Sequence, residues 1–172
     1  MTNWINVVSL DHVQRGVDGG FTQANHGKPH MLRKMVRGDW IVFYSPKTAY
    51  ANGEPLQAFA AIGRIADDVP YQAEMAPDFH PWRRNVDFMD CTETPIRSLI
   101  DRLDFIDDKK RWGAKFRFGV MAIDDHDLGM IRQAMTGTRC DSHAAIVKGR
   151  HTAPPSGEQV FAVSACHRAG TL

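Results

Sequence analysis

The side chains with the greatest chemical capacity crowd into one short run, GGFTQANHGK, from Gly19 to Lys28. It holds an aromatic ring, Phe21, and the polar or ionisable residues Thr22, Gln23, Asn25 and His26, closed by Gly27 and Lys28. The run shows neither apolar residues at helical spacing nor an apolar–polar alternation, so it reads as a turn or as a binding loop. His26 and His30 stand at i, i+4, a spacing that can place two imidazoles on one helix face for a metal. Gly27 and Pro29 interrupt any such helix, and no acidic third ligand is near in sequence, so no metal or other cofactor is expected. His126, in DDHD, reads as part of a helix N-terminus, and His80, between Phe79 and Pro81, as a loop residue.

Nucleophilic chemistry finds no setting. There is no G-x-S-x-G, no H-E-x-x-H and no phosphate-binding G-x-x-x-x-G-K-[ST] run. Ser9 and Ser45 each end an expected strand, where a hydroxyl can bind as well as attack. Non-covalent recognition is better supplied. Phe21, Tyr44 and Trp82 lie beside polar loop residues, and a flat aromatic recess with hydrogen-bonding edges can hold a planar base. Cations lie close by: Arg33, Lys34 and Arg37, then Arg83-Arg84, then the group from Lys109 to Arg117 around Trp112. Such residues can neutralise phosphates, although for the last group a solvated charged face fits as well.

The elements that position these residues belong to one globular chain. Its 172 residues are 43% apolar and 24% charged, ordinary values that argue against wholesale disorder. A formal charge of +1 gives no global pull toward nucleic acid, so any such binding must come from a local patch. The three cysteines (Cys91, Cys140, Cys166) are widely spaced with no CxxC pair, against a disulfide framework or a cysteine-based zinc site. No signal peptide is evident and no window approaches the roughly 18 apolar residues of a membrane span, so a soluble cytoplasmic protein is expected.

Strands are expected at residues 4–9 (WINVVS), 40–45 (WIVFYS, ended by Pro46), 57–65, 83–89 and 115–123. Helices are expected from Asp11 to Arg15 before Gly16, after Pro29 with Met31, Leu32 and Met35, from Ile96 to Leu103, and after Asp124 or Asp125. Gly63 reads as a bulge or a close approach. Strands with helices between them, lacking a βαβ rhythm, indicate an α+β fold with a small curved sheet or barrel. The pattern fails after Met135. Residues 1–136 therefore read as the domain and 137–172 as a flexible or loosely docked extension, with VFAV (160–163) as its one strand candidate. In that extension Arg139, Lys148, Arg150 and Arg168 outnumber Asp141 and Glu158.

The ordered motifs WINVVS-x-DHV-x-RGV-x-GGF-x-Q-x-x-HGK, GDWIVFYSPK, FAAIGRI, YQ-x-EM, RR-x-VDF and WG-x-x-FRFG resemble an EVE-domain protein. That family belongs to the PUA-like superfamily, with the YTH and ASCH modules, and the resemblance spans residues 2 to about 135. It implies a PUA-like fold, a curved, mostly antiparallel, barrel-like sheet flanked by helices, with a cleft between the first strand, the following loop and the second strand. Relatives use that cleft for a modified base, N6-methyladenine in RNA for YTH modules and modified cytosines in DNA for EVE-type domains. Carried onto this chain, the pocket would draw on Ser9, Phe21, Gln23, Asn25, Tyr44 and Ser45, with Trp82 as a lid. His26, Lys28, Arg83 and Arg84 would meet phosphates. The chain departs from many EVE domains in ending its first strand Ser9-Leu10-Asp11 and in offering Phe21 alone where they have a tryptophan-rich loop. The implied function is a non-catalytic module for a modified base in DNA or RNA. The alternatives are a binder of structured RNA that needs no modified base, and a small hydrolase or nuclease using His26 and a serine.

Overall fold

The computed structural model describes residues 1–137, so the expected strand at 160–163 lies outside the described residues. Apolar runs form most of the sheet: β1 (Asn3–Val7), β3 (Trp40–Lys47), β4 (Pro55–Ile65), β6 (Trp82–Phe88) and, at one edge, β8 (Val120–Ile123). With the three-residue β2 (Phe21–Gln23) at one end they run in the order β2-β6-β4-β3-β1-β8. The short β5 (Tyr71–Gln72) adds to β6, and β7 (Thr94–Pro95) adds to β4. Only β1 and β3 pair in parallel, with Asn6 beside Phe43; the other pairings are antiparallel.

The sheet is covered on both sides, which explains why WIVFYS is apolar throughout. Strand alternation sends Val42 and Tyr44 into one core with Phe59, Phe116 and the helix α2 (Asp125–Thr136). Ile41 and Phe43 enter the opposite core with Leu32, Val86 and Val13 of the helix α1 (Leu10–Gly19). The architecture is the α+β curled sheet flanked by helices anticipated above. Asp39, fully buried, ties the sheet's start together: its carboxylate accepts from the Thr2 N–H, the Trp4 indole at 3.0 Å and the Val36 N–H at 3.1 Å.

Several elements differ from expectation, each for a local reason. The first helix runs past Gly16, because β2 packs against it there: a Cβ on Gly16 would stand 2.7 Å from the Phe21 carbonyl oxygen. It ends instead at Gly20, whose φ of 66° turns the chain into β2. Residues 21–23 form a strand rather than a loop, since β6 supplies the backbone partners. β3 continues through Pro46 at a register irregularity between Ser45 and Lys47, where the missing N–H costs no ladder bond.

The helices expected after Pro29 and from Ile96 to Leu103 are short 3₁₀ turns (Leu32–Lys34, Ile96–Ser98, Ile100–Arg102), a geometry that also satisfies an i, i+3 apolar spacing. The strand expected from 115 begins only at Val120. Asp108 accepts from the Lys110 and Arg111 N–H groups, winding Lys109–Arg117 into 3₁₀ turns that seat the Phe116 ring 3.9 Å from that of Tyr44. Gly63 is the close approach expected: a Cβ there would stand only 2.6 Å from the Asp87 carbonyl oxygen. Asp124 caps α2 by accepting from the Asp127 N–H. No helix among the described residues is long and apolar enough to cross a membrane.

Candidate functional site

The end of β1, the start of α1, the loop after β2 and the segment before β8 enclose a cavity of about 820 Å³. That is within the size range of small-ligand sites. The sequence-predicted residues Ser9, Phe21, Gln23, Asn25, His26, Lys28 and Arg83 all line it. Tyr44, Ser45, Trp82 and Arg84 do not, and each is displaced for a physical reason.

Tyr44 points to the opposite side of the sheet, where only 2% of it is exposed, against Phe59 and Phe116. Phe43, its neighbour in the strand, takes the place on the cavity wall. Burial pushes the Tyr44 phenol up to about 12 despite the opposing pull of Arg97. Ser45 is wholly buried and its Oγ has no hydrogen-bond partner among the described residues. Trp82 packs against the α1-side core beneath the Arg33 guanidinium, 5.4 Å from the ring centre, and is not a lid.

Arg84 is fully buried. Its guanidinium donates to the Leu32 and Met35 carbonyls, to the Asp67 carbonyl at 2.6 Å and to Asp67 Oδ1 at 2.5 Å. A group with these partners holds the fold together and cannot meet a phosphate. Its neighbour Arg83 faces the other way. The Arg83 guanidinium lies 3.7 Å from the Phe21 ring centre and its Nε donates to Gln23 Oε1 at 3.3 Å. The Cδ1–Cε1 edge of Phe21 stands against Gly19, where an added Cβ would come within 2.5 Å. Arg83 therefore covers one face of the Phe21 ring, and the guanidinium plane itself becomes a stacking surface.

The loop after β2 is wound tightly. Asn25, His26 and Gly27 all take left-handed backbone angles, with φ of 48°, 56° and 82°. Two consecutive non-glycine residues there cost energy that the surroundings must offset. Gly27 backs onto Pro81, and Gly119 leaves space for Asn25: a Cβ on Gly119 would stand 2.8 Å from Asn25 Oδ1. The Val7 N–H holds the Gly119 carbonyl at 2.6 Å, fixing this wall to β1.

The charge of the cavity is one-sided. Arg15, Lys28, Lys47, Arg83 and Arg117 line it, with His12 and His26, and no aspartate or glutamate is among its described lining residues. Asp11 lies beside it and is engaged: the Ser9 hydroxyl donates to its Oδ1 at 2.5 Å, and Arg15 Nη2 is 3.8 Å from its Oδ2. Burial pushes the Asp11 carboxyl up, but the Ser9 hydrogen bond, His12 and Arg15 together hold it below the ordinary range. Ser9 thus donates to the Asp11 carboxylate, with His12 Nδ1 3.5 Å from its hydroxyl oxygen. Apolar groups surround the mouth: Tyr50, Met75, Phe79 and Phe118 are each at least 42% exposed.

The site residues not anticipated from sequence include Asn6, His12, Arg15, Lys47 and Phe79, whereas Arg117 comes from the cationic group around Trp112 noted above. Asn6 alone carried a local signal, an amide in the middle of an apolar strand. The candidate metal histidines separate, since His26 lines the cavity and His30 does not. Elsewhere, Asp104, His126 and Asp127 group their polar atoms within 4.8 Å, but both Asp127 oxygens already accept the Asp104 and Phe105 N–H groups.

Comparison with known proteins agrees with this architecture. A family model described as "EVE domain" matches residues 2–134. A "UPF0310 protein" of Mycobacterium avium is 78% identical over 136 residues, covering 79% of this chain and 99% of the relative. The Bacillus subtilis protein YdcG, also named UPF0310, is 41% identical over 132 residues, covering 77% of this chain and 90% of its own. Among solved structures, the Pseudomonas syringae protein PSPTO5229 superposes with a TM-score of 0.52 at 18% identity, over 76% of this chain and 97% of that one. With the family model spanning nearly all of the described residues, this chain belongs to the EVE-domain family and carries its PUA-like fold.

Proposed function

We propose that this domain is a non-catalytic nucleic-acid-binding module that takes one modified base into the cavity beside Phe21 and Arg83. The observation that carries the reading is the lining of that cavity. Five cations and a ring of exposed apolar side chains converge there, with no carboxylate among the described lining residues, in a chain whose net charge is only +1. Such a group of cations suits a phosphate backbone, and the guanidinium–ring pair offers a planar surface to a base. Val8, Phe43, Pro46 and Met75 add an apolar wall that can bury a methyl mark. One buried methyl contributes about 0.8 kcal/mol, or roughly fourfold in affinity.

The test is fluorescence anisotropy with short DNA and RNA, single- and double-stranded, bearing plain or modified bases, over a range of salt. Five neutralised phosphates correspond to a log–log salt slope of about −3.5 on single strands and about −4.5 on duplex DNA, and fewer contacts to a proportionally shallower one. A slope near zero refutes the nucleic-acid reading. Equal affinity for plain and modified bases reduces the cavity to a site for stacking and phosphate contact.

A further inference from the structure

We infer that Tyr50 forms a second stacking site at the mouth of the cavity, a shelf for the base of the nucleotide next to the one held beside Phe21 and Arg83. The inference rests on the nucleic-acid reading above and names the stretch of strand the site takes, two consecutive nucleotides with unpaired bases.

Tyr50 lies in the loop between β3 and β4, and 63% of it is exposed although it lines the cavity. The loop holds it firmly. The Thr48 N–H donates to the Glu54 carbonyl at 2.9 Å, and the Glu54 N–H donates to Thr48 Oγ1 at 3.0 Å. The Asp11 N–H donates to the Thr48 carbonyl at 3.0 Å, which ties the loop to the start of α1. The turn is tight enough that a Cβ on Gly53 would overlap the Ala49 nitrogen. From this loop the Tyr50 ring stacks on that of His12, with centroids 5.9 Å apart and planes 28° from parallel. Lys47 Nζ stands 5.9 Å from the Tyr50 ring centre.

The exposed part of this ring adds nothing to the fold, because only area removed from water stabilises it. A ring already held in one orientation, however, has little freedom left to lose on binding. Of the four apolar side chains at the mouth, Tyr50 alone stacks on another ring among the described residues. The Phe21–Arg83 pair is partly buried and suits the enclosed base, so Tyr50 is left for its neighbour in the strand. Lys47 beside Tyr50, and Arg15 one helical turn beyond His12, supply charge for the phosphate that joins the two nucleotides. A base–ring stack tolerates any base, because every base has a π-face. The shelf therefore adds affinity and a requirement for strand length, and leaves the choice of base to the cavity.

The experiment removes one flanking base at a time. Single strands about seven nucleotides long carry at their centre the base bound most tightly in the panel above, and the nucleotide on either side is replaced in turn by an abasic unit. Each strand is titrated by anisotropy against the full chain, Tyr50→Ala and Tyr50→Phe at several salt concentrations, with thermal melting to check that each variant folds. With the unaltered chain, one of the two abasic replacements should weaken binding about 5- to 150-fold. Tyr50→Ala should lose the same factor on the intact strand, lose nothing further on the abasic one and keep the salt slope. Tyr50→Phe should bind as the unaltered chain does. If neither abasic replacement weakens binding, or if it costs Tyr50→Ala as much as the unaltered chain, while the salt slope stays steep, the shelf is overturned and the module reading survives. If no strand shows salt-dependent binding, the module reading falls and the shelf with it.

Discussion

Adjacent arginines in β6 should fail in opposite ways when truncated. Arg84 is fully buried and donates to two carbonyls of the Leu32–Met35 turn and to both the backbone and the side chain of Asp67. Arg84→Ala leaves those acceptors without donors and strands the Asp67 carboxylate, of which 16% is exposed. Breaking one side of a buried pair costs about 3–5 kcal/mol. At roughly 4 °C per kcal/mol for a domain of this size, the melting temperature should drop by about 12–20 °C. Arg84→Lys restores the charge but not four simultaneous donors, so it should fall between. Arg83→Ala removes an exposed-side cation–π contact and one hydrogen bond to Gln23, costing about 1 kcal/mol or less. It should instead weaken oligonucleotide binding and flatten the salt slope by about one unit. Scanning calorimetry and anisotropy on the same preparations read both quantities. A stable Arg84→Ala with lost affinity, or an Arg83→Ala that melts early, would refute the partition.

Other expectations follow from single contacts. Tyr44 should be a late-ionising phenol, its folded value near 12 against the ordinary 10. Between those values the unfolded chain loses this proton while the folded chain keeps it, so stability should fall as pH rises through the window, by up to about 2–3 kcal/mol. Phenolate absorbance complete before about pH 11 in the folded protein would contradict this. Gly119→Ala adds a Cβ at a φ of 71°, 2.8 Å from Asn25 Oδ1. It should cost about 1–3 kcal/mol by thermal melting and weaken binding, because the loop after β2 must move. Phe79→Ala, at a residue 42% exposed, should leave stability within about 0.5 kcal/mol and lower oligonucleotide affinity. Ending the chain after Gly137, whose N–H closes the last turn of α2 on the Gln133 carbonyl at 2.7 Å, should leave one cooperative melting transition.

Which elements were legible in the sequence follows from where their stabilisation originates. β1, β3, β4 and β6 are long apolar or alternating runs, and α2 has a capping aspartate before an apolar stripe, so local pattern suffices. β2 exists because Phe21, Thr22 and Gln23 find partners about sixty residues away in Asn85, Arg84 and Arg83, and no local window contains that information. The apolar spacings at Leu32–Met35 and Ile96–Leu103 were read correctly as buried faces. The form they take was not. An i, i+3 repeat fits a 3₁₀ turn as well as an α-helix, and chain geometry outside the segment decides between them.

The same distinction governs the site. The loop from Phe21 to Lys28 was found because its residue types suit binding, and the sheet brings most of it to one cavity. Strand parity accounts for the positions of both Tyr44 and Arg84 away from the cavity. Successive side chains of a strand alternate in direction, so Phe43 and Tyr44 cannot share a wall, nor can Arg83 and Arg84. In β6 the parity was readable, because Val86 is an inward residue two positions on and assigns Arg84 to the core face. An arginine on that face needs acceptors, and Asp67 with the Leu32–Met35 turn supplies them from segments whose positions the sequence does not disclose. In β1 the parity places Asn6 with Trp4 on the side that becomes the cavity, between residues that have no use for an amide. A polar side chain there raises the cost of folding unless other groups complete its hydrogen bonds. β2 completes two of them, through Thr22 Oγ1 and the Gln23 carbonyl oxygen.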